Sequence, residues 1–139
     1  MTAENHPAAR FARARHHIVT TAALVIVFWM AAAGAVIAAQ KMLERRHPAT
    51  ATVVTIAAIV ATAYVYTRFC AREAGVSHAL GVGAAWLLLG VATEVMMAAH
   101  TGPGSYAMLG SPDRPLLRNV FFFVWIFGPV LFARRESEQ

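Results

Sequence analysis

The chain has 139 residues, of which 58% are hydrophobic and 14% charged, against about 25% charged in a typical soluble domain. Its formal net charge of +5 does not point to nucleic acid. The basic residues cluster at the ends of apolar runs, where membrane proteins place them. A single cysteine, Cys70, excludes an intrachain disulfide, a CxxC redox pair and a four-thiolate metal site.

Three stretches carry no Asp, Glu, Lys or Arg: 25 positions between Arg15 and Lys41, 21 between Arg46 and Arg68, and 20 between Glu73 and Glu94. A membrane-spanning helix needs about 20 predominantly apolar residues at about 1.5 Å each. With a mean hydropathy of +0.54, the pattern predicts an all-α integral membrane protein. Its expected form is a four-transmembrane-helix bundle with short loops, with the lipid bilayer of the cell inner (plasma) membrane as its first partner.

Residues 1–17 (MTAENHPAARFARARHH) are polar and basic without helical periodicity. They read as a flexible N-terminal tail whose Arg10, Arg13 and Arg15 suit anionic headgroups. The transmembrane domain is expected over 18–135, with spans at about 18–39, 49–67, 77–99 and 115–133, and a C-terminal tail at 136–139. The second half of the first span, AAAGAVIAA, holds six alanines and one glycine, small residues that let helix backbones approach closely in lipid. The rival reading of this span is a signal peptide cleaved at Ala33-Gly34-Ala35. Its apolar stretch of 22 residues exceeds the usual h-region of about 7–15.

Pro48 suits the first turn of the second span, whose threonines (Thr50, Thr52, Thr55, Thr62) can bond back to carbonyls one turn earlier. Tyr64 and Tyr66 fall near its end, as in an aromatic belt. The basic loop RFCAREAG leads to the third span. After it comes HTGPGSYAMLGSPDR, with three glycines and two prolines in fifteen residues, which reads as the longest loop. The fourth span holds five of the eight phenylalanines and is stopped by Arg134 and Arg135. Four spans put both termini on one side. That side carries 7 basic residues against 5 on the other, which favours cytoplasmic termini.

Few residues suggest chemistry. No GxxxxGK[ST], GxGxxG, HExxH or GxSxG is present, so nucleotide-binding, zinc-protease and hydrolase readings have no starting residue. Glu94 lies about 9 Å along the third helix from His100, and an intramembrane carboxylate costs several kcal/mol unless paired, protonated or wetted. Leu87, Gly90, Glu94 and Met97 share one stripe of that helix, with Gly83 adjacent. Arg118, the fourth residue of the last span, enters from the same side, and the expectation is a Glu94–Arg118 ion pair.

Trp29, Trp86 and Trp125 each fall near the middle of a span, away from the interfaces tryptophan prefers. They read either as an aromatic pocket for an apolar or cationic ligand or as packing against alanine-rich helices. Each indole N–H needs an acceptor at mid-depth. Thr55, Thr62 and the Trp125 carbonyl freed by Pro129 are the acceptors at hand.

The histidines fall at span ends: His16, His17 and His78 on one side, His47 and His100 on the other. Each side thus offers one bis-histidine haem pair, although histidine is also at home among headgroups. Met97 and His100 share a face and form at most a weak soft-metal site. Asp113 and His100 are the one acid–base couple a lipid-directed enzyme could use.

No cofactor is expected from these residues. The leading reading is a non-enzymatic structural or accessory membrane subunit, as a homo-oligomer or part of a larger membrane complex. One alternative is a proton- or cation-coupled transporter or channel using Glu94. The other is a haem- or quinone-binding redox subunit. The plan of four short spans with one membrane carboxylate is similar to that of small multidrug exporters. In that family the carboxylate sits in the first span, and the first span here has no acid.

Overall fold

The computed structural model describes residues 7–43, 47–101, 108–110 and 114–133. Over these the chain is helical, with no strand: α1 (Pro7–Leu43), α2 (Pro48–Val65), α3 (Val76–Thr101) and α4 (Pro115–Leu131), with a single π-turn at Tyr66–Cys70 closing α2. Both α2 and α4 begin on a proline, where the missing N–H is no loss and the fixed φ is already helical.

Three of the helices are long and apolar enough to cross a membrane. The fourth, α4, has 17 residues, about 26 Å against the ~30 Å hydrocarbon core. It is apolar but shorter than a full span. Large side chains such as Leu88, Val95, Met96, Phe123 and Leu131 are exposed on the outer faces, a surface suited to lipid rather than to water.

The N-terminal segment departs from the expected tail, because α1 starts at Pro7 and runs for 37 residues. At about 55 Å it extends well beyond the ~30 Å core. The physical reason lies in PAARFARARHH. Alanine and arginine are strong helix formers, and a helix already nucleated in the span extends without a further nucleation penalty. The expected C-terminal tail, 136–139, lies outside the described residues.

The helices pack as a square in which α1 touches α2 and α3, and α4 touches α2 and α3. The neighbours α1 and α3 run parallel, as do α2 and α4, so the α2–α3 connection crosses a diagonal. The π-turn begins that crossing. The Ala71 amide donates to the Tyr66 carbonyl at 3.1 Å, and the Thr67 hydroxyl donates to the Ala63 carbonyl at 2.8 Å. Hydrogen bonding is thereby kept inside the protein, as lipid requires. The centre is filled by Val36, Ile59, Trp86, Phe121 and Trp125, each 2% exposed or less.

Helices α3 and α4 approach closely at Gly83. A Cβ there would overlap the Ile126 carbonyl oxygen and lie 2.7 Å from its carbon. Gly81, two residues earlier, has nothing within 4 Å. Gly83→Ala is therefore expected to force α3 and α4 apart at a cost of about 1–3 kcal/mol. Gly81→Ala should be neutral or slightly stabilising. Thermal unfolding of both variants in detergent checks the contrast.

Candidate functional site

Glu94 stands on the inner face of α3, about 10 Å from that helix's C-terminal end, and is 7% exposed. Its Oε1 accepts the backbone N–H of Leu109 at 2.7 Å. The three residues 108–110 thus descend from the α3–α4 connection into the bundle. Met108 and Leu109 are at most 1% exposed. Non-helical backbone at membrane depth survives only where protein groups satisfy it, and Glu94 supplies one of the needed contacts.

The other side of this descent is held by α4. The Trp125 indole N–H donates to the Met108 carbonyl at 3.3 Å. Long helical side chains lean toward their helix N-terminus, which for α4 is the side of the loop. Gly110 adopts φ +82, the left-handed region that a side chain resists. A Cβ there would lie 3.2 Å from the Phe121 ring and 3.7 Å from the Arg118 Cα. Gly90 makes room for the loop, its Cβ position being 3.6 Å from Leu109 Cδ2. The stripe of Gly90 and Glu94 therefore faces a tucked loop, whereas Gly83 faces α4 directly.

Arg118 is half-buried in the same neighbourhood, and its positive charge acts on Glu94 through space. Its guanidinium carbon lies 5.5 Å from the centroid of the Phe122 ring one turn on, a cation–π distance. Among the described residues its Nε is buried without a hydrogen-bond partner. Arg118 thus lies in the Glu94 neighbourhood, but the expected Glu94–Arg118 ion pair is not among the contacts of the described residues, and the carboxylate's hydrogen bond goes to the Leu109 amide. That backbone amide is a group no side-chain reading could have supplied.

The tryptophans separate. Trp86 and Trp125 are fully buried and meet edge to face with centroids 6.2 Å apart, so each fills space beside the other. The Trp86 indole donates to the Val25 carbonyl of α1 at 2.9 Å, ahead of any threonine acceptor. Thr62 bonds back to the Ala58 carbonyl at 2.8 Å. Trp29 is only partly buried, and its indole N–H has no partner among the described residues.

The chain of rings continues to the opposite end, with Tyr66 5.9 Å from Trp86 and 5.5 Å from Phe28. The Tyr66 hydroxyl and His78 Nε2 are hydrogen-bonded at 3.1 Å. The sequence suggests only a belt position for Tyr66. Its role at the centre of three helices depends on the π-turn, which leaves no clear periodic mark.

Of the remaining histidines, His47 is exposed, and His100 is exposed with its Nδ1 on the Met96 carbonyl at 2.8 Å. Met97 is half-buried on the same helix. Asp113, the other half of the acid–base couple, lies outside the described residues. Among the described residues no group of three or more His, Cys, Asp or Glu is placed to hold a metal ion. No protein-family model, curated protein or solved structure matches this chain. The fold and site define a small helical membrane protein with a loop tucked against an intramembrane carboxylate.

Gly110→Ala places a side chain in a left-handed backbone and against Phe121. The expected cost is about 1–2 kcal/mol for the backbone conformation alone, with the ring contact added. The unfolding midpoint should fall, and hydrogen exchange at Met108 and Leu109 should accelerate.

Proposed function

We propose that this protein is a non-catalytic structural or accessory subunit of a membrane assembly, with both termini on the cytoplasmic side of the inner membrane. One observation carries the reading. The single intramembrane carboxylate, Glu94, is occupied by the Leu109 amide, an arrangement that holds the 108–110 segment in the bundle. A carboxylate used for transport must instead be free to exchange protons or cations during each cycle. Charge-assisted hydrogen bonds of this kind are roughly twice as strong as neutral ones.

The outer face of α1 supports an accessory role. Ala31, Gly34, Ala35 and Ala38 are all exposed there, and a Cβ on Gly34 would meet nothing within 4 Å. Such a face lets a neighbouring helix come close, because packing rather than hydrophobic transfer drives association in lipid. The 7-to-5 distribution of basic residues supports the orientation.

Glu94 variants provide the test. Glu94→Gln keeps an acceptor oxygen and should lose about 0.5–1 kcal/mol, whereas Glu94→Ala strands the buried Leu109 amide and should lose about 1–3 kcal/mol. Proteoliposomes of the wild type should show no pH-gradient-driven flux above that of empty vesicles. A wild-type flux abolished in Glu94→Gln, at unchanged stability, would overturn the structural reading in favour of a proton-coupled transporter.

A further inference from the structure

At the end of the bundle opposite the tucked loop, the diagonal α2–α3 connection leaves a cavity of about 390 Å³. This is within the ~300–1,000 Å³ range of ligand pockets. It shares no residue with the Glu94 site. Thr21 and Leu24 of α1 form one wall, and the Tyr66–His78 hydrogen-bonded pair forms another. The remaining lining comes from the connection itself, including Arg72 and Glu73.

Three features restrict what such a cavity would hold. The first is depth. Thr21 and Leu24 lie in the opening turns of the α1 span, His17–Leu43, and Phe69, at the end of the second span, is 75% exposed. Aromatic and basic residues at span ends mark headgroup level. The second is charge: one cation, Arg72, and one anion, Glu73, are both exposed and both line the cavity. The third is rigidity, because the Tyr66 wall is braced by Trp86, with centroids 5.9 Å apart, and by Phe28 at 5.5 Å.

From these we infer that the cavity is a binding site for a phosphoryl–ammonium zwitterion of the phosphoethanolamine type. Its phosphate meets Arg72 and the opening turn of α3 at His78, and its ammonium meets Glu73. Arginine pairs with phosphate through charge-assisted hydrogen bonds, and a helix N-terminus adds partial positive charge on the same side. Leu24 and Phe69 provide apolar surface for the glycerol and upper acyl carbons of a lipid. A membrane phosphatidylethanolamine and a free phosphoethanolamine present the same headgroup chemistry.

Native mass spectrometry of the full chain tests this. The protein is released from nanodiscs of phosphatidylethanolamine and phosphatidylglycerol, and in a separate arm it is titrated in detergent with O-phosphoethanolamine. The wild type is expected to retain one phosphatidylethanolamine. Arg72→Gln should lower that occupancy about tenfold, and Glu73→Gln should shift the retained lipid toward phosphatidylglycerol. Both side chains are exposed, so both variants should keep the wild-type unfolding midpoint. Retention from nanodiscs without saturable O-phosphoethanolamine binding assigns the site to lipid, and saturation by the free compound assigns it to the soluble headgroup. Absence of saturable binding in both arms would overturn the proposal. So would binding unchanged in both variants, or an Arg72→Gln loss with Glu73→Gln unaffected.

Discussion

Inside a bilayer a backbone amide that leaves its helix has no water to turn to, and each unsatisfied group costs several kcal/mol. The segment 108–110 leaves helical geometry while buried in the bundle. Its placement depends on the Glu94 carboxylate for the Leu109 amide and on the Trp125 indole for a carbonyl. Much of the surrounding packing follows from that arrangement. Gly90 has no side chain where Leu109 enters, Gly110 takes a left-handed backbone conformation against Phe121, and Arg118 contributes positive charge beside the carboxylate. The buried acid, so often a sign of transport, is here the acceptor that allows a loop to sit within the bundle.

The opposite end solves a different geometric problem. In the square of helices α2 and α3 are diagonal partners joined by a short connection. The π-turn at Tyr66–Cys70 starts the crossing and carries Tyr66 into the middle of the bundle. From there a row of rings, Tyr66, Trp86 and Trp125, runs through the core to the tucked loop. The cavity beneath the connection is a consequence of the same diagonal. A loop between adjacent helices would have left no such space.

Much of this architecture is legible in the residues. The uncharged runs locate the helices, the two prolines mark the starts of α2 and α4, and the glycine-bearing stripe with Glu94 identifies the inward face of α3. Glu94 and Arg118 can be assigned to one neighbourhood because helical rise places both near the same side of the membrane. Other features are hidden. The N-terminal helix is hard to see because PAARFARARHH mixes small, basic and polar residues without a periodic apolar stripe, and its helicity comes from propensity and continuity with the rest of α1. The acceptors of Trp86 and Trp125 are main-chain carbonyls, and every residue carries one, so no residue type announces them.

What the sequence by itself determined is the class of molecule: helices long and apolar enough for a bilayer, few charges, and one acid where acids are expensive. That information is local, because a hydropathy run or a helix start is a property of neighbouring residues. Only the tertiary structure decided what the acid holds, which glycines are essential, and where a cavity lies. Gly83 and Gly81 are alike in sequence, yet one abuts the Ile126 carbonyl and the other faces open space. Glu94 meets an amide 15 residues further along the chain. Such contacts depend on the helices packing as a square and on the turn that joins their diagonal, and no local pattern encodes either.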